Sequence, residues 1–335
     1  MAVRRSSSIF CDAGAQVLVP RPLRWGYFVA LNLSWLGAGV LGSAALTVAT
    51  YNVENYLIAD RLVDGVFRSA YPKPEKEKAA LRQVIAALAP DILALAEMGG
   101  APFLADFQRE LKQAGQHYPY TALVAAADPD RHVAILSKVP FKEVRRYSAV
   151  PLTYFKQPAK VKRGMLEVVI ATEAGDCSIF LVHLKSRYTE RQDDPQSALL
   201  RAAEAEAVRD LVLARHPDPA AAKFLVCGDW NDTRDSRPVR ALQKRGRTVI
   251  GELLRASDSR GETWTHYYRR EDSYSRIDYM LVSPALRPYV IGAGATIGDG
   301  PGVAGASDHR PVLVQLKLEP VRKDSVSGAP GQGGG

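Results

Sequence analysis

Six short words in the chain end an apolar run on a polar side chain. Thr47–Tyr51 leads into Asn52, Ile92–Ala96 into Glu97, Phe180–Val182 into His183, and Phe224–Cys227 into Gly228-Asp229-Trp230-Asn231. Arg276-Ile277 carries Asp278 into Tyr279-Met280-Leu281, and Ser307-Asp308-His309 precedes the last apolar run. A strand end holds a side chain rigidly at a pocket rim, the placement that metal and phosphate chemistry requires. Magnesium prefers oxygen ligands, keeps several waters and takes only one or two carboxylates. Glu97, with Asp308 as a second carboxylate and Asn52 nearby, meets that need, and no Cys/His spacing for zinc competes with it. His309 offers an acid–base group near neutral pH. Adjacent strand residues point to opposite faces, so Asp278 is better placed than Asp308 to orient it. In Asp229-x-Asn231 the spacing puts two polar side chains on one face of an extended segment, one to position a water and one to donate to phosphate. Singly, each word has a plain alternative: a turn aspartate at 229, a satisfied strand histidine at 183, a strand-end charge at 97. Their co-occurrence and order favour a site.

The elements that must position these residues follow from periodicity. Strands are predicted at Leu46–Asn52, Asp91–Ala96, His132–Leu136, Val144–Ser148, Met165–Ala171, Cys177–Val182, Lys223–Cys227, Arg276–Val282 and Pro311–Leu316. The first strand is followed by a loop through Tyr71-Pro72. Pro74–Leu88 carries apolar residues at helical spacing behind Glu75 and Glu77, and Pro102–Ala114 does so with Phe103, Leu104, Phe107 and Leu111. Asp194-Pro195 opens the longest helix, to about Arg215. Interspersed strands and helices, in two strand groups separated by that helix, favour a layered α/β domain on two sheets. No internal repeat and no Gly-rich phosphate loop is present, which argues against kinases and ATPases.

At 335 residues and 47% hydrophobic content the chain suits one large globular domain. Its net charge is +8, of which four arginines against Asp12 place +3 in residues 1–45. The remainder permits a polyanionic substrate without requiring one. Cys177 and Cys227 read as small buried hydrophobes, with a bridge between neighbouring strands left open, and Cys11 as incidental. No charge occurs from Gly26 to Tyr51. Arg21 and Arg24, the apolar run and then Gly42-Ser43-Ala44-Ala45 have the layout of an export leader or, uncleaved, of a membrane anchor. Either places the catalytic part across the membrane: periplasmic, secreted or anchored facing outside. A misassigned start, with a cytoplasmic protein, is the alternative. The division is therefore a leader at 1–45, a catalytic domain at 46–318 and a disordered Gly/Pro-rich tail at 319–335.

Asn52 in Tyr-Asn-Val, Glu97, His183-Leu184, Gly228-Asp229-Trp230-Asn231, Arg276-Ile277-Asp278-Tyr279 and Ser307-Asp308-His309 resemble the motifs of the endonuclease/exonuclease/phosphatase superfamily. The resemblance spans about residues 46–318. It implies a four-layer α/β sandwich, two mixed β-sheets packed face to face with helices outside, and phosphoester hydrolysis with Mg²⁺, or Mn²⁺ in its place. It implies Glu97 as principal metal ligand with Asn52 and Asp308, and His309 oriented by Asp278 as general base or transition-state stabiliser. Asp229 would orient the attacking water or the leaving group, and Asn231 would contact phosphate. His183 matches the deoxyribonuclease, sphingomyelinase and phosphatase branches and lowers the abasic-site reading. Arg163 before Gly164 resembles a further family element that presents an arginine to the site. Where His132 stands the superfamily usually has glycine, so Arg131-His132 is either a substrate contact or an exposed strand start.

Substrate is set by loops. Trp264-Thr265-His266-Tyr267-Tyr268-Arg269-Arg270 interleaves aromatics and arginines that can stack bases and pair phosphates, with Trp264, Tyr268 and Arg269 as candidate contacts. Packing against the domain is the other role open to Trp264. For a lipid substrate an exposed apolar loop is expected, and outside the leader only Tyr147–Phe155 offers one. The reading is an exported, monomeric nuclease or broad phosphodiesterase acting on nucleic acid. A lipid or inositol-phosphate hydrolase comes second and a non-catalytic binding module third.

Overall fold

Alternation along the first strand sets the architecture. In Leu46–Tyr56, Leu46 and Val48 enter one apolar cluster while Ala49, Tyr51 and Val53 enter another, so the strand is buried on both faces. The structure is a computed structural model that describes residues 45–189 and 191–321. It places this strand in a seven-stranded sheet ordered Ala256–Ser257, Ala295–Ile297, Val312–Leu316, Leu46–Tyr56, Ile92–Met98, His132–Ser137, Tyr120–Val124. A six-stranded sheet runs Glu252–Leu253, Asp278–Val282, Lys223–Asp229, Cys177–His183, Met165–Ile170, Glu143–Tyr147.

Both sheets are mixed. Each has a parallel pair at its centre, Leu46–Tyr56 with Ile92–Met98 and Cys177–His183 with Lys223–Asp229, and the first sheet has a second at its edge, Ala256–Ser257 with Ala295–Ile297. Parallel neighbours need a crossover, and helices Glu75–Leu88 and Ala198–Arg215 supply it for the central pairs. The inner cluster, from Val48 and Ile135 of one sheet to Leu181 and Met280 of the other, fills the space between the sheets. Helices Glu75–Leu88 and Ala101–Gln113 cover the outside of the first sheet, and Ala198–Arg215 and Arg237–Gln243 cover the second. This is the layered α/β sandwich expected from the sequence.

Three differences from the sequence reading are instructive. The long helix does not separate the two sheets in sequence: the last strand returns to the first, Leu46 opposite Leu316, because both share the inner core. The segment read as a loop is a hairpin, Ile58–Val63 with Val66–Pro72, turning through Asp64 and Gly65, both at positive φ. It leaves Leu62 and Phe67, which pair across the strands, about two-thirds exposed. The Trp264–Arg270 loop is also largely a hairpin, His266–Tyr268 with Ser273–Ser275.

Cys177 and Cys227 are buried and free; Cys177 lies opposite Lys223 and Cys227 opposite Leu181, four positions out of step for a bridge. The start of the expected tail is ordered, since Val321 donates to Ala171 O and Glu173 to Glu319 O. The leader, Cys11 and the rest of the tail lie outside the described residues. Among those described, no helix is long and apolar enough to cross a membrane.

Candidate active site

The residues of the inner face that build the core run on, at one end of the sandwich, into polar side chains. Leu46, Val48 and Thr50 lead by alternation to Asn52; Ile179 and Leu181 to His183; Leu225 and Cys227 to Asp229; Met280 and Val282 lie beyond Asp278. His183 sits directly opposite Asp229, and Asp229 opposite Asp278. Gly228 permits this approach: at φ 132 its missing Cβ would lie 1.9 Å from Val182 O.

Glu97 obeys a different rule. Ile92 and Ala94 face the inner cluster, Leu93 and Leu95 the helices, so simple alternation would send Glu97 outward. A bulge against His132–Ser137 falls between Ala96 and Met98, and Glu97 takes φ 62. The bulge re-aims the carboxylate into the centre. There Oε1 accepts from Asn52 Nδ2 at 3.2 Å and Oε2 from the Asn55 backbone N–H at 3.0 Å.

Asn52 is the hub. Its Nδ2 also donates to Asp229 Oδ2 at 3.0 Å and lies 3.4 Å from His309 Nε2. His309 Nδ1 is 2.8 Å from Asp278 Oδ2, and its Nε2 is 3.7 Å from Asp229 Oδ2. Asp308 stands 4.0 Å from His309 Nε2 and 3.8 Å from His266. Burial opposes charge on His309, but Asp278 and Asp229 outweigh it and hold the imidazole protonated well above its usual pKa. Burial, partly offset by His309, pushes Asp229 up to about 7. His183 is driven well below its usual value by burial and by Arg163 and His309. It stays neutral, with neither ring nitrogen hydrogen-bonded to protein.

The remaining sequence candidates fall into two groups. Arg163 is buried near His183, held by Asp128 at 3.0 Å and by Leu184 O at 3.0 Å. His132 is 7% exposed with Nδ1 unpartnered, so it is not an exposed strand start, while Arg131 Nε donates to Asn55 Oδ1. Asn231 is not on an extended segment. It takes φ 54, its N–H closes on Asp229 Oδ1, and its side chain donates to Leu184 O. The turn geometry won there because Asp229 caps its own chain. Trp264 and Arg269 line a 380 Å³ pocket that reaches Ser307 and Asp308. Trp264 itself is packed, with Arg310 over its ring at 4.2 Å and Nε1 bonded to Glu262. Tyr268 is exposed, its ring 6.4 Å from that of His266.

Sequence reasoning missed Glu54, His266, Thr265 and Ser307. Glu54 accepts the Asp308 N–H at 3.0 Å, and burial beside Asp308 raises its pKa to about 7. Thr265 Oγ1 accepts the N–H groups of Ile277 and Asp278 and fixes the start of the Asp278 strand. Ser307 Oγ donates to Asn52 O and accepts the His309 N–H, tying Asn52 on the first strand to His309. Glu54 was visible as a carboxylate two residues after Asn52; the others carry no signal apart from their neighbours.

Two side-chain groups among the described residues bring metal-ligating atoms together: His266, Asp308 and His309, and Asp229, Asp278 and His309. The second is centred on His309, which is hydrogen-bonded to Asp278 at 2.8 Å with Asp229 at 3.7 Å, and its side chains are at most 6% exposed, leaving less room for a hydrated ion. Glu97 and Asp308, with side chains 18% and 31% exposed, offer oxygen donors and access for water, which suits magnesium.

The profile of the Endonuclease/Exonuclease/phosphatase family matches residues 49–309. No curated protein matches the chain. Among solved structures, the human Nocturnin catalytic domain with bound sulfate is 17% identical, covering 82% of this chain and 94% of that one at a TM-score of 0.59. Sphingomyelinase C from Streptomyces griseocarneus is 15% identical over 82% and 99%, TM-score 0.55. A Staphylococcus aureus beta toxin variant with bound magnesium ions is 13% identical over 82% and 100%, TM-score 0.55. At these identities the likeness is one of fold.

Proposed function

The chain belongs to the endonuclease/exonuclease/phosphatase family, and from that premise we propose that it is a divalent-metal-dependent phosphodiesterase acting on nucleic acid. The observation that carries the reading is the convergence of Asn52, Asp229, Asp278 and His309 within hydrogen-bonding reach at the end of the inner core. Glu97, Asn52 and Asp308 are the residues that would hold magnesium. A bound divalent ion supplies positive charge to the phosphoryl oxygens as the ester breaks. The beta toxin variant of similar fold, with its magnesium ions, supports that choice of metal.

The chain's own groups account for the proton. Asp229, its pKa near 7, takes the proton of the attacking water as the new O–P bond forms. His309, held protonated by Asp278, presents Nε2–H to the developing negative charge. The ester P–O bond breaks and the leaving oxygen takes its proton from solvent. Asn52 locks the Asp229 carboxylate in place, and neutral His183, 3.6 Å from Asp229, has a ring N–H free for the substrate. Arg269 and the aromatic hairpin beside Asp308 support nucleic acid as substrate. The apolar leader supports an exported protein.

One observation favours a lipid phosphodiester as the second reading. The hairpin after Asn52 exposes Ile58, Leu62, Val66 and Phe67, the apolar surface for which the sequence offered only Tyr147–Phe155. Hydrolysis of supercoiled DNA, RNA, sphingomyelin vesicles and an inositol polyphosphate, with Mg²⁺ and with EDTA, separates the readings. Metal-dependent cleavage of nucleic acid that His309→Ala abolishes is the expected result. Turnover of sphingomyelin alone would move the assignment to lipid.

A further inference from the structure

Arg234, Arg255 and Arg276 converge on a 440 Å³ cleft that also carries the hydroxyls of Ser257 and Thr263 and has no carboxylate in its lining. We infer that this cleft is a second phosphate-binding subsite, which takes another phosphoryl group of the same substrate and so selects substrates bearing more than one. The inference rests on the phosphoesterase reading for the word substrate, and on the cleft alone for the anion.

Arg276 is the fixed member. Its Nη2 donates to Leu254 O at 2.8 Å and its guanidinium lies 5.2 Å over the Tyr279 ring, while Nε is buried with no partner. A partly buried guanidinium with an orphaned donor is costly unless an anion completes it. Arg234 acts on it electrostatically as a like charge, and the lining the two share holds no carboxylate. The other arginine-lined pocket differs: there Arg260 and Arg310 are paired with Asp258 and Glu262. Part of the lining is close-packed backbone. A Cβ on Gly294 would meet Arg255 O at 2.3 Å, and Ala295 donates to that same oxygen at 2.8 Å. Guanidinium forks in a cleft without carboxylates suit phosphate, which they bind bidentately.

The position relates the cleft to the reaction. Arg276 precedes Asp278 by two residues, about 6.6 Å of extended chain at ~3.3 Å per residue, and Asp278 is among the charges that act on it. A phosphodiester held at His309 therefore leaves a neighbouring phosphate within reach of Arg276. Nucleic acid and inositol polyphosphates both provide one.

The test uses the full chain and the double variant Arg234→Ala/Arg255→Ala, both exposed side chains, with melting temperature as the folding control. Sodium tripolyphosphate, titrated calorimetrically without divalent metal at fixed ionic strength, is expected to bind the wild type and to bind the variant at least roughly tenfold more weakly. No binding by the wild type, or equal affinity, overturns the inference. With Mg²⁺, kcat/KM for an oligodeoxynucleotide and for an inositol polyphosphate is divided by that for bis-p-nitrophenyl phosphate. For whichever is turned over, the ratio is expected to fall at least roughly tenfold in the variant. An unchanged ratio removes the cleft from substrate recognition even if tripolyphosphate binds there. Arginine-dependent tripolyphosphate binding without hydrolysis of any substrate would refute the phosphodiesterase reading and leave the anion site standing.

Discussion

His309 and Asp278 meet at 2.8 Å, Nδ1 to Oδ2, with the carboxylate 1% exposed and its other oxygen free of any protein partner. The contact fixes the ring so that Nε2 turns to Asp229 and Asn52. Asp278 in turn is held through its backbone N–H by Thr265. The ring orientation thus depends on Asp278, and an amide in its place keeps the shape of the contact without the charge.

Asp278→Asn is therefore expected to retain the fold and lose activity. A drop in kcat of ~10²–10⁴-fold follows if His309 acts in the transition state. Steady-state kinetics on the cleaved substrate, beside a melting curve, checks it; a change of less than about tenfold would leave His309 with a structural role only.

Glu97 is aimed by a bulge, at a φ that a non-glycine residue adopts only under constraint. Constraint of that kind accumulates where a side chain must point against the alternation of its strand. Glu97→Gln should raise the Mg²⁺ concentration for half-maximal activity by more than the ~10–100-fold typical of losing an outer partner. The upward shift in melting temperature that Mg²⁺ gives the wild type should disappear in the variant. A retained shift would place the metal elsewhere.

Much of this was legible in the sequence for one reason: a strand of a two-sided core is read by alternation, and the site is where alternation ends on a polar residue. Asn52, His183 and Asp229 were found because each ends an apolar run, and Asp278 because it opens one. Glu97 was found by its place after an apolar run, though its direction depends on a bulge that the sequence does not announce. Asn231 was misplaced because an extended segment and an aspartate-capped turn share the same letters. The hairpin Ile58–Pro72 was invisible because its residues lie in neither core cluster, and apolar pattern locates strands only where they pack. The three-arginine cleft joins residues 234, 255 and 276 through sheet order, not through spacing.

The exposed hairpin gives a prediction that separates stability from function. Leu62 and Phe67 are 70% and 66% exposed, so Leu62→Ser/Phe67→Ser should change unfolding free energy by less than about 0.5 kcal/mol per site. The base of the hairpin is pinned separately, by Arg61 to the carbonyls of Asn55 and Leu57 and by buried Lys73 to Glu54 O. Under the nucleic-acid reading the double variant cleaves DNA at the wild-type rate. A selective loss of turnover on sphingomyelin vesicles would instead support the lipid reading.

The Asp258 carboxylate makes stability depend on acid. Burial favours its neutral form, but Arg310 at 2.7 Å and the N–H groups of Glu262 and Arg260 outweigh that and hold its pKa below the usual aspartate value. A carboxylate with a depressed folded pKa contributes stability above its unfolded pKa, ~3.9, and loses it as pH falls through the folded value. Asp258→Asn should therefore lower the melting temperature near neutral pH, with the difference from wild type already narrowing between about pH 4 and pH 3. A gap that stays constant down to that pH would mean packing, not charge, is what Asp258 contributes.

Gly228 carries the sharpest steric prediction. It precedes Asp229, sits at φ 132, and has Val182 O where a Cβ would stand, at 1.9 Å. The obstacle is backbone of the neighbouring central strand, which pairs residue for residue from Cys177 to His183 and cannot yield locally. Gly228→Ala must either strain that conformation or push the two strands apart, and each route costs about 1–3 kcal/mol or more. Displacing the strands also separates His183 from Asp229, so activity should fall with stability. Chemical denaturation is expected to show a loss of about 1–3 kcal/mol or more, or no folded protein. A loss below about 1 kcal/mol would mean that the strand pair is looser at this point than the structure has it.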